Sequence, residues 1–304
     1  MDLSSLERYR PLIDDWSAFA DAVQAPLPVT VWANTLRLDR PGLERVLAAD
    51  GIDSTPLEWY PRGLRVAFGT RPGKTVTFVA GYCHIQEEVS MLPIHLLDPQ
   101  PGERVLDLCS APGNKSIQAA VHMAGRGLVF ANDVNQRRLV TVTRNVERLG
   151  LTNVAVSRWD GSSLPQQVGL FDRVLADVPC SCEGTTRKNT EILWRAPMHA
   201  NLPGSQTALL RKAVQKCRPG GRVVYSTCTY APEENEAVVD AVLRESPGLR
   251  VLPAGVPGLR SAPGVTSWEG QDFLPELAGT LRLWPHHNDT GGFFIAVLER
   301  PRDD

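Results

Sequence analysis

The chain has 304 residues, of which 42% are hydrophobic and 22% are charged, and its formal charge at pH 7 is -2. This composition is typical of a globular protein and excludes disorder as the overall class, while the small net charge excludes a basic surface over the whole molecule. A local basic patch for a polyanion stays open. The length predicts one large domain or two modest ones.

The cysteines and the opening residues indicate the compartment. The six cysteines include no CxxC pair, and the start MDLSSLERYR lacks the basic-then-apolar pattern of a secretory signal. No apolar run reaches the roughly 18 residues of a membrane helix. Cys180-x-Cys182 and His286-His287 are poor zinc spacings. We therefore expect a cytoplasmic protein with reduced cysteines, no membrane contact and no metal.

Residues 1–98 are predicted to form a small α+β domain. Apolar residues from Leu6 to Phe19 recur at helical spacing, and this predicted helix ends before the Pro-rich PLP. VTVWANTLRL predicts a strand, and PGLERVLAADGI predicts a helix with Pro41 near its start and Gly51 past its end. LEWYPRGLRVAF and KTVTFVAGYCHIQ predict further strands. The boundary falls at DPQPG, so the second domain is 99–304.

From residue 99 onwards, predicted strands alternate with predicted helices. The strands are RVLDL, GLVFAND, NVAVS, FDRVLADVP, GRVVYSTC and FFIAVLER, and the helices are SIQAAVHMA, RRLVTVTRNVERLG and EENEAVVDAVLRE. Such alternation predicts an α/β fold, a parallel sheet with helices on both faces. Ligands of these sheets bind outside the carboxyl ends of the strands, so the residues that end each strand are the candidates for function.

Small and acidic residues follow the first three strands. From Asp107 to Lys115 the chain passes through a small-residue turn into a helix, which allows a ligand to approach the backbone, although neither a P-loop nor a dinucleotide fingerprint is matched. Asp133 ends the second strand, where an acid can accept hydrogen bonds from ribose hydroxyls. Asp160 follows the third strand in an Asp-Gly pair. A nucleoside cofactor and ordinary turns are both open explanations of these residues.

Asp177 and Cys180 follow the fourth strand, and Cys228 follows the fifth. Buried cysteines are usually inert apolar residues. Two of them at the ligand edge of one sheet can instead supply a thiolate that attacks an electrophilic ring carbon. Chemistry of this kind requires that the two sulfurs and the carboxylate converge on one pocket.

The segments LDLCSAPGNKS, ANDVNQRRL, WDG, ADVPCSCEG and YSTCTYAPEENE closely resemble the RNA cytosine-5 methyltransferase family, the Sun/Fmu group. The resemblance extends from Pro28 to Glu299. It implies a Rossmann-like class I methyltransferase domain, with a seven-stranded and mostly parallel sheet, behind a small N-terminal α+β domain. The implied activity is methylation of cytosine C5 in RNA with S-adenosylmethionine, through a covalent adduct between a cysteine and C6.

The resemblance also implies a role for each matching residue. Cys228 would be the nucleophile, Cys180 would help to release the product, and Asp177 would lie between the cofactor and the target base. Asp133 would hold the ribose hydroxyls and Asp160 the adenine side. The remaining cofactor candidates are Cys109, Ser110, Ala111, Pro112, Gly113, Asn114, Lys115 and, more weakly, Arg138. Two residues of the cofactor loop differ from the family pattern, since Asn114 and Ser116 stand where Gly and Thr are common. Cys182 stands where the family usually has Gly, and we assign no role to it.

The resemblance implies RNA as the partner. Within RNA we expect single-stranded loops, because the target base must leave its stack to reach buried thiols and loops allow this at low cost. Lys188 beside the site is one candidate contact. Arg62 and Arg65 are others, in a run with Arg71 and Lys74 that contains no acid. Such a run is equally typical of a solvated face. We expect a monomer.

Three alternatives remain. In a DNA cytosine-5 methyltransferase Cys180 would attack, but Ser follows Cys180 instead of Gln, and Cys228 lies in a Ser-Thr-Cys-Thr strand end. A non-catalytic RNA-binding or ribosome-assembly protein of the same fold would be expected to have lost one of the cysteines or acids. Among substrates we expect ribosomal RNA, of the 16S type, with transfer RNA as the alternative.

Overall fold

A computed structural model of the protein describes residues 2–194 and 201–302. In this part of the chain a four-stranded sheet lies near the N-terminus, and a nine-stranded sheet forms most of the rest. No helix in the same ranges combines the length and the apolar character that crossing a bilayer requires.

The N-terminal residues form a small α+β unit, as predicted. A 3-10 helix covers Ser4–Leu12, and it is followed by α1 (Trp16–Gln24), β1 (Val29–Ala33), α2 (Arg40–Ala49), β2 (Ser54–Pro56), β3 (Gly63–Val66), α3 (Val76–Val79) and β4 (Cys83–Ile85). A 3-10 turn at Pro72–Lys74 precedes α3. The strand order is β2-β3-β1-β4, and each pair is antiparallel.

Three predicted elements of this unit differ from the structure. The single opening helix is wrong: Pro11 lies in the 3-10 helix, and α1 begins anew where Asp15 accepts a hydrogen bond from the Ala18 N–H at 2.9 Å. KTVTFVAGYCHIQ is mostly not a strand, because Thr75 caps the short helix α3 through the Phe78 N–H at 3.1 Å. Of the predicted strand LEWYPRGLRVAF, only the part that forms β3 is a strand.

The larger unit contains the predicted alternation. Its elements are α4 (Leu92–Leu97), β5 (Arg104–Asp107), α5 (Asn114–His122), β6 (Leu128–Asn132), α6 (Gln136–Leu149), β7 (Val154–Ser157), β8 (Phe171–Asp177), α7 (Leu202–Lys216), β9 (Cys217–Thr227), α8 (Glu236–Glu245), β10 (Arg250–Val251), β11 (Ala262–Pro263), β12 (Ser267–Trp268), β13 (Gln271–Asp272), β14 (Leu281–Leu283), α9 (Pro285–Asn288) and β15 (Phe293–Glu299). Helices α4, α7 and α9 and strands β10 to β14 were not predicted.

The large sheet has the order β11-β14-β15-β9-β8-β5-β6-β7, and β10 pairs with β15. Without the two-residue strands β10 and β11, seven strands remain, which is the expected number. Strands β5 to β9 are parallel neighbours, whereas β14 and β15 are antiparallel. The alternation alone had predicted a parallel sheet, so the direction of β15 corrects that reading and agrees with the mostly parallel sheet of the resemblance.

Two hydrophobic cores lie on opposite faces of this sheet because successive strand residues point to opposite sides. Val105, Leu175 and Val224 enter a core with α4 and α5. Their neighbours Leu106, Val174 and Val223 enter a second core with α7 and α8. The parallel strands are therefore buried on both faces, which explains their continuous apolar sequences. Their carboxyl ends form one edge, where the site lies.

The N-terminal segment packs on the larger unit. Leu6, Tyr9 and Phe19 share a core with Tyr230 and Trp284. The Tyr9 hydroxyl donates to the Glu183 carboxylate at 2.8 Å. These contacts cross the predicted boundary at residue 98, which stays a prediction.

Candidate active site

The loop after β5 forms a cradle at the carboxyl edge of the sheet. It carries Cys109 to Lys115 into α5. Gly113 has a φ of 103°, and a Cβ there would lie 3.1 Å from Cα of Val142. Glycine is therefore required at this position. The Ser110 hydroxyl is buried and has no hydrogen-bond partner among the described residues, so it is available to a ligand.

Asn114 connects the cradle to the small sheet. Its Oδ1 accepts a hydrogen bond from His84 Nε2 at 3.0 Å, and Arg148 Nη2 donates to His84 Nδ1 at 2.7 Å. Because a guanidinium only donates, Nδ1 carries no proton and the imidazole is neutral. Burial lowers the pKa of His84 to about 4, which agrees with this state. Asn in place of the usual Gly thus ties the loop to the N-terminal unit.

Asp133, just after β6, holds the cradle from the other side. Its Oδ2 accepts from the Ala111 N–H at 3.1 Å and its Oδ1 from the Asn135 N–H at 2.8 Å. Arg138 donates to the Ala111 carbonyl and lies 3.9 Å from Asp133. The carboxylate is 4% exposed yet lines a cavity, so it can accept further hydrogen bonds there.

That cavity has a volume of about 450 Å³ and is lined by Cys109, Asp133, Arg138 and Asp160, with Leu108 and Leu209 as apolar walls. A cavity of this size suits a small-molecule ligand. Asp160 also shapes a turn, since its Oδ1 accepts from the Ser162 N–H at 2.9 Å. The two interpretations of Asp160 from the sequence are therefore compatible.

A second cavity of about 450 Å³ adjoins the first and shares Cys109, Arg138 and Pro179 with it. Many of the predicted site residues line it together: Cys109, Ala111, Pro112, Asn114, Lys115, Arg138, Asp177, Cys180, Lys188 and Cys228. Asp133 and Asp160 line the first cavity only. The predicted cofactor residues thus line both cavities, and the predicted catalytic residues line the second.

Asp177 ends β8 and is held by two donors. Lys115 Nζ donates to Oδ2 at 2.7 Å, and Ser226 Oγ donates to Oδ1 at 2.7 Å. Asp177 and Ser226 are register partners on the parallel strands β8 and β9. Burial lowers the pKa of Lys115, but the Asp177 carboxylate, Cys228 and Asp107 together raise it by more, so the ammonium stays charged. The pair orients the carboxylate at the pocket.

The sulfurs converge beside this pair. Cys228 Sγ lies 3.4 Å from Cys180 Sγ, and Cys182 Sγ lies 3.9 Å from Cys180 Sγ. The convergence that the two-cysteine chemistry requires is therefore present. Cys182 Sγ also donates to the Cys180 carbonyl at 3.2 Å.

The protein holds Cys228 and Cys180 in the protonated form. A hydrogen bond with Cys180 lowers the pKa of Cys228, but the hydrogen bond with Cys182 and burial outweigh it, and the net pKa is well above the usual value. Hydrogen bonds with Cys182 and Cys228, together with burial, raise the pKa of Cys180 in the same way. Burial also raises the pKa of Cys109. A thiolate therefore forms only when a base or the bound substrate favours it.

Glycine contacts fix the turn that carries Cys182. The Gly184 N–H donates to the Cys228 carbonyl at 2.8 Å, and the Gly292 N–H donates to the Gly184 carbonyl at 2.8 Å. A Cβ on Gly184 would overlap the Gly292 carbonyl. The turn after Cys180 is thus locked against the strand end that carries Cys228.

The residues that were predicted to contact RNA differ in their exposure and in their distance from the two cavities. Lys188 is exposed at the second cavity. Arg65 donates to Glu88 at 2.7 Å and to the Asn288 carbonyl at 2.7 Å, and Arg62 is half-buried with one nitrogen unpartnered among the described residues. Neither lines the two cavities. That Arg62 and Arg65 contact RNA stays a prediction.

Arg187, which precedes Lys188 in the chain, is not a surface cation. Its side chain is 1% exposed, and it donates to the carbonyls of Ala25 and Thr290 and to Asp289. The guanidinium joins the N-terminal segment to the loop before β15, which is a structural role.

The structure contains two groups of potential metal ligands that the spacing of residues in the sequence did not predict. Cys228 completes a set with Cys180 and Cys182, and Asp14 completes a set with His286 and His287. The two imidazoles bind the Asp14 carboxylate at 2.7 and 3.0 Å, and Arg260 pairs with it as well. Distant segments supply the third ligand in each case, so no local pattern reveals them.

Several pocket residues were not predicted. Ser226 and Ser90 contact Asp177 and Lys115, and Glu87 accepts from the Gly291 N–H at 3.0 Å. Ser226 had a detectable signal, because it precedes Cys228 by two residues on the strand next to Asp177. Ser90 and Glu87 follow the small sheet, and no pattern in the sequence indicated that they lie at the pocket.

A sheet of this order, with ligand cavities at its carboxyl edge, defines a Rossmann-like methyltransferase. The family model described as "16S rRNA methyltransferase RsmB/F" matches residues 94–299. The chain belongs to this family.

Individual relatives agree with this assignment. The chain is 37% identical to a mouse 28S rRNA (cytosine-C(5))-methyltransferase, over 98% of this chain and 38% of that protein. It is 34% identical to a tRNA (cytosine(49)-C(5))-methyltransferase of Pyrococcus abyssi, over 98% of this chain and 96% of that protein. It spans less than half the length of the eukaryotic relatives that it matches. The crystal structure of a methyltransferase homolog protein from Pyrococcus horikoshii superposes with a TM-score of 0.83 at 30% identity, over 99% of this chain and 100% of that chain.

Proposed function

We propose that this protein methylates cytosine C5 in RNA with Cys228 as the nucleophile. The observation that carries the proposal is the 3.4 Å separation of the Cys228 and Cys180 sulfurs, in a pocket that Asp177 also lines. The reaction needs a nucleophile for C6, a base for the C5 proton and a hydrogen-bonding group for the ring. Two thiols and one carboxylate supply these three functions.

S-adenosylmethionine is the cofactor that we assign to the first cavity and the cradle. The unpartnered Ser110 hydroxyl, the glycine that the cradle requires at position 113 and the cavity-lining carboxylate of Asp133 fit a nucleoside with a charged tail. Asp133 would accept from the ribose hydroxyls and Asp160 would contact the adenine side, while residues 109–115 and Arg138 would surround the methionine end. When bound, the cofactor supplies the electrophilic methyl group that C5 takes.

Cys228 would act first. Cytosine C5 is a poor nucleophile while the ring is aromatic, and addition of the Cys228 thiolate to C6 gives C5 enamine character. Because Cys228 is protonated in the free protein, its proton must leave when the base binds. That proton would pass to the Asp177 carboxylate, which is held by Lys115 and Ser226. Asp177 would share the proton with N3 of the ring and so stabilise the charge pushed onto the ring.

Cys180 would act last. Removal of the C5 proton allows the bond between Cys228 and C6 to break, so the base must lie next to Cys228. Cys180 is in van der Waals contact with that sulfur and borders the same cavity. Because Cys180 is also protonated in the free protein, it would first lose that proton to solvent. The resulting thiolate would take the C5 proton, and the raised pKa of Cys180 favours this transfer.

Substitution of the two cysteines tests these roles. We expect Cys180→Ala to accumulate a covalent protein–RNA adduct, seen as a denaturation-resistant band, because C6 addition proceeds and release does not. Cys228→Ala should form no adduct. Adducts in Cys228→Ala and none in Cys180→Ala would make Cys180 the nucleophile, and a wild-type protein that transfers no labelled methyl group to total RNA would favour a non-catalytic binding protein.

For the substrate we propose ribosomal RNA of the 16S type, supported by the family description. Transfer RNA is the second candidate, because the Pyrococcus abyssi relative, named a tRNA methyltransferase, matches along nearly its whole length. Lys188 at the thiol cavity would contact the RNA backbone beside a loop cytosine. Bisulfite sequencing of RNA from a deletion strain separates the two: loss of a ribosomal mark supports the first, and loss of a transfer-RNA mark alone overturns it.

A further inference from the structure

The loop after β3 presents a large exposed aromatic ring. Phe68 is 83% exposed, the highest value among the large apolar side chains described. Burying a phenylalanine ring stabilises a fold by about 1.5–3 kcal/mol, so a ring left in water is available to a partner. Gly69, with a φ of 80°, forms the turn that follows it.

Two cations accompany this ring. Arg71 and Lys74 are exposed, and within residues 2–194 and 201–302 neither side chain has a hydrogen bond or an ion pair. This distinguishes them from Arg65 of the same basic run, which binds Glu88 and the Asn288 carbonyl. An aromatic face with unpaired cations suits a strand of bases and phosphates.

A groove that carries this surface borders the thiol pocket at Leu27. A cavity of about 580 Å³ is lined by Phe68, Arg71 and Leu27, and Leu27 also lines the cavity that contains Cys180 and Cys228. The one acid on the groove, Asp289, is paired with the buried Arg187 at 2.6 Å, so its charge is compensated. A strand that leaves the pocket past Leu27 therefore meets an aromatic ring and Arg71, and Lys74 follows Arg71 three residues later in the chain.

We propose that Phe68, Arg71 and Lys74 form a platform for single-stranded RNA next to the target cytosine. A base stacks on Phe68, and Arg71 and Lys74 contact flanking phosphates. The platform rests on the proposed function, since it presumes an RNA substrate. It assigns RNA binding to these three residues. The sequence of the basic run alone did not show which of its residues bind RNA.

Binding of a fluorescein-labelled 12-nucleotide oligocytidine, measured by anisotropy between 50 and 200 mM salt, tests the platform. Phe68→Ala should weaken binding roughly tenfold, the cost of losing one stacked base, and Phe68→Trp should restore it. Arg71→Ala and Lys74→Ala should each weaken binding and reduce the salt slope by about 0.7, the contribution of one phosphate contact on a single strand. Circular dichroism checks that the variants fold.

Arg126→Ala is the matched control. Arg126 is exposed in the turn between α5 and β6, at the edge of the sheet opposite to the pocket, and should bind the probe like the wild type. Equal binding by wild type, Phe68→Ala and Arg71→Ala would overturn the platform. A wild-type protein that does not bind the probe would also overturn it. If Phe68→Ala changed only the sedimentation of the protein, Phe68 would form a contact between proteins and the platform would be wrong.

The adduct assay keeps the two proposals separate. If wild type methylates RNA and Cys180→Ala traps the adduct while the platform variants bind normally, only the platform fails. If no methyl transfer or adduct occurs, the proposed function fails. In steady-state assays the platform variants should raise KM and leave kcat unchanged, because these residues do not touch the reacting atoms.

Discussion

The Lys115 ammonium lies 2.7 Å from the Asp177 carboxylate, and the two side chains come from the first helix after the cradle and from the end of β8. This ion pair joins the cofactor loop to the wall of the thiol pocket. Lys115 is 9% exposed, so its positive charge acts in a poorly hydrated environment, where it has a larger effect than in water. Among the described residues, Lys115 is therefore the main positive charge next to the Asp177 carboxylate.

Lys115→Met should impair both Asp177 and Cys228. Without the ammonium, the uncompensated Asp177 carboxylate raises the pKa of Cys228 further, since it already acts in that direction. We expect single-turnover methylation to fall by roughly a hundredfold, as when one preorganised electrostatic group is lost. Lys115→Arg, which keeps the charge, should retain much more activity. A Lys115→Met variant with the wild-type rate would contradict the role of the pair.

Alkylation of Cys228 should depend strongly on pH. The folded protein holds the pKa of this thiol well above its usual value, so the thiolate fraction increases as the pH rises and no plateau is expected below about pH 9. Iodoacetamide labelling at Cys228, quantified by mass spectrometry of its peptide, should rise about tenfold per pH unit from pH 6 to 8. Labelling that levels off near pH 7 would show a stabilised thiolate instead. Cys180→Ala should shift the curve to higher pH, because the hydrogen bond from Cys180 lowers the pKa of Cys228.

Asp107, at the end of β5, links stability to pH. Burial raises its pKa from 3.8 to about 7, and Ser116 Oγ donates to its Oδ2 at 2.6 Å. The folded state thus binds a proton that the unfolded state has released. This contribution to stability is fully present below about pH 4 and is lost as the pH rises through about 7. Asp107→Asn cannot titrate, so its stability should fall less than that of the wild type between pH 5 and 8.5.

Urea unfolding at both pH values measures this difference. Each pKa unit corresponds to about 1.4 kcal/mol, so a shift of this size is readily detected. The other titrating groups are common to both proteins and cancel in the comparison. Parallel pH profiles for wild type and Asp107→Asn would show that Asp107 ionises normally in the fold.

The main site residues could be predicted because the sheet is parallel. Once β5, β6, β8 and β9 are recognised as buried strands, the residues that follow them must share one edge, and Asp133, Asp177 and Cys228 do so. The resemblance then supplied their individual roles. These predictions needed only local apolar runs and the rule of strand order.

Tertiary pairing could not be predicted in the same way. A run of arginines does not show which guanidinium turns inward, and Arg65 and Arg187 both bind partners that lie far away in sequence. The short helix α3 consists of β-branched and aromatic residues, so its propensity favours a strand, and the Thr75 cap decides otherwise. The contact between Tyr9 and Glu183 likewise depends on segments 174 residues apart.

Cys182 combines a thiol with an unfavourable backbone conformation. Its φ is 63°, in the left-handed region that favours glycine, and its sulfur binds the Cys180 carbonyl. Cys182→Gly and Cys182→Ala both remove the thiol, but only alanine keeps the strained backbone. We expect the glycine variant to be more stable than the alanine variant by about 1 kcal/mol in urea unfolding.

The same pair of variants isolates the thiol. Because the hydrogen bond with Cys182 raises the pKa of Cys180, both substitutions should make Cys180 more reactive towards iodoacetamide at pH 7, and to a similar extent. Stability therefore separates the two variants while thiol reactivity does not. If alanine matched glycine in stability, the left-handed conformation at position 182 would carry no cost. If Cys180 reactivity followed stability instead, backbone relaxation and not the third thiol would control Cys180.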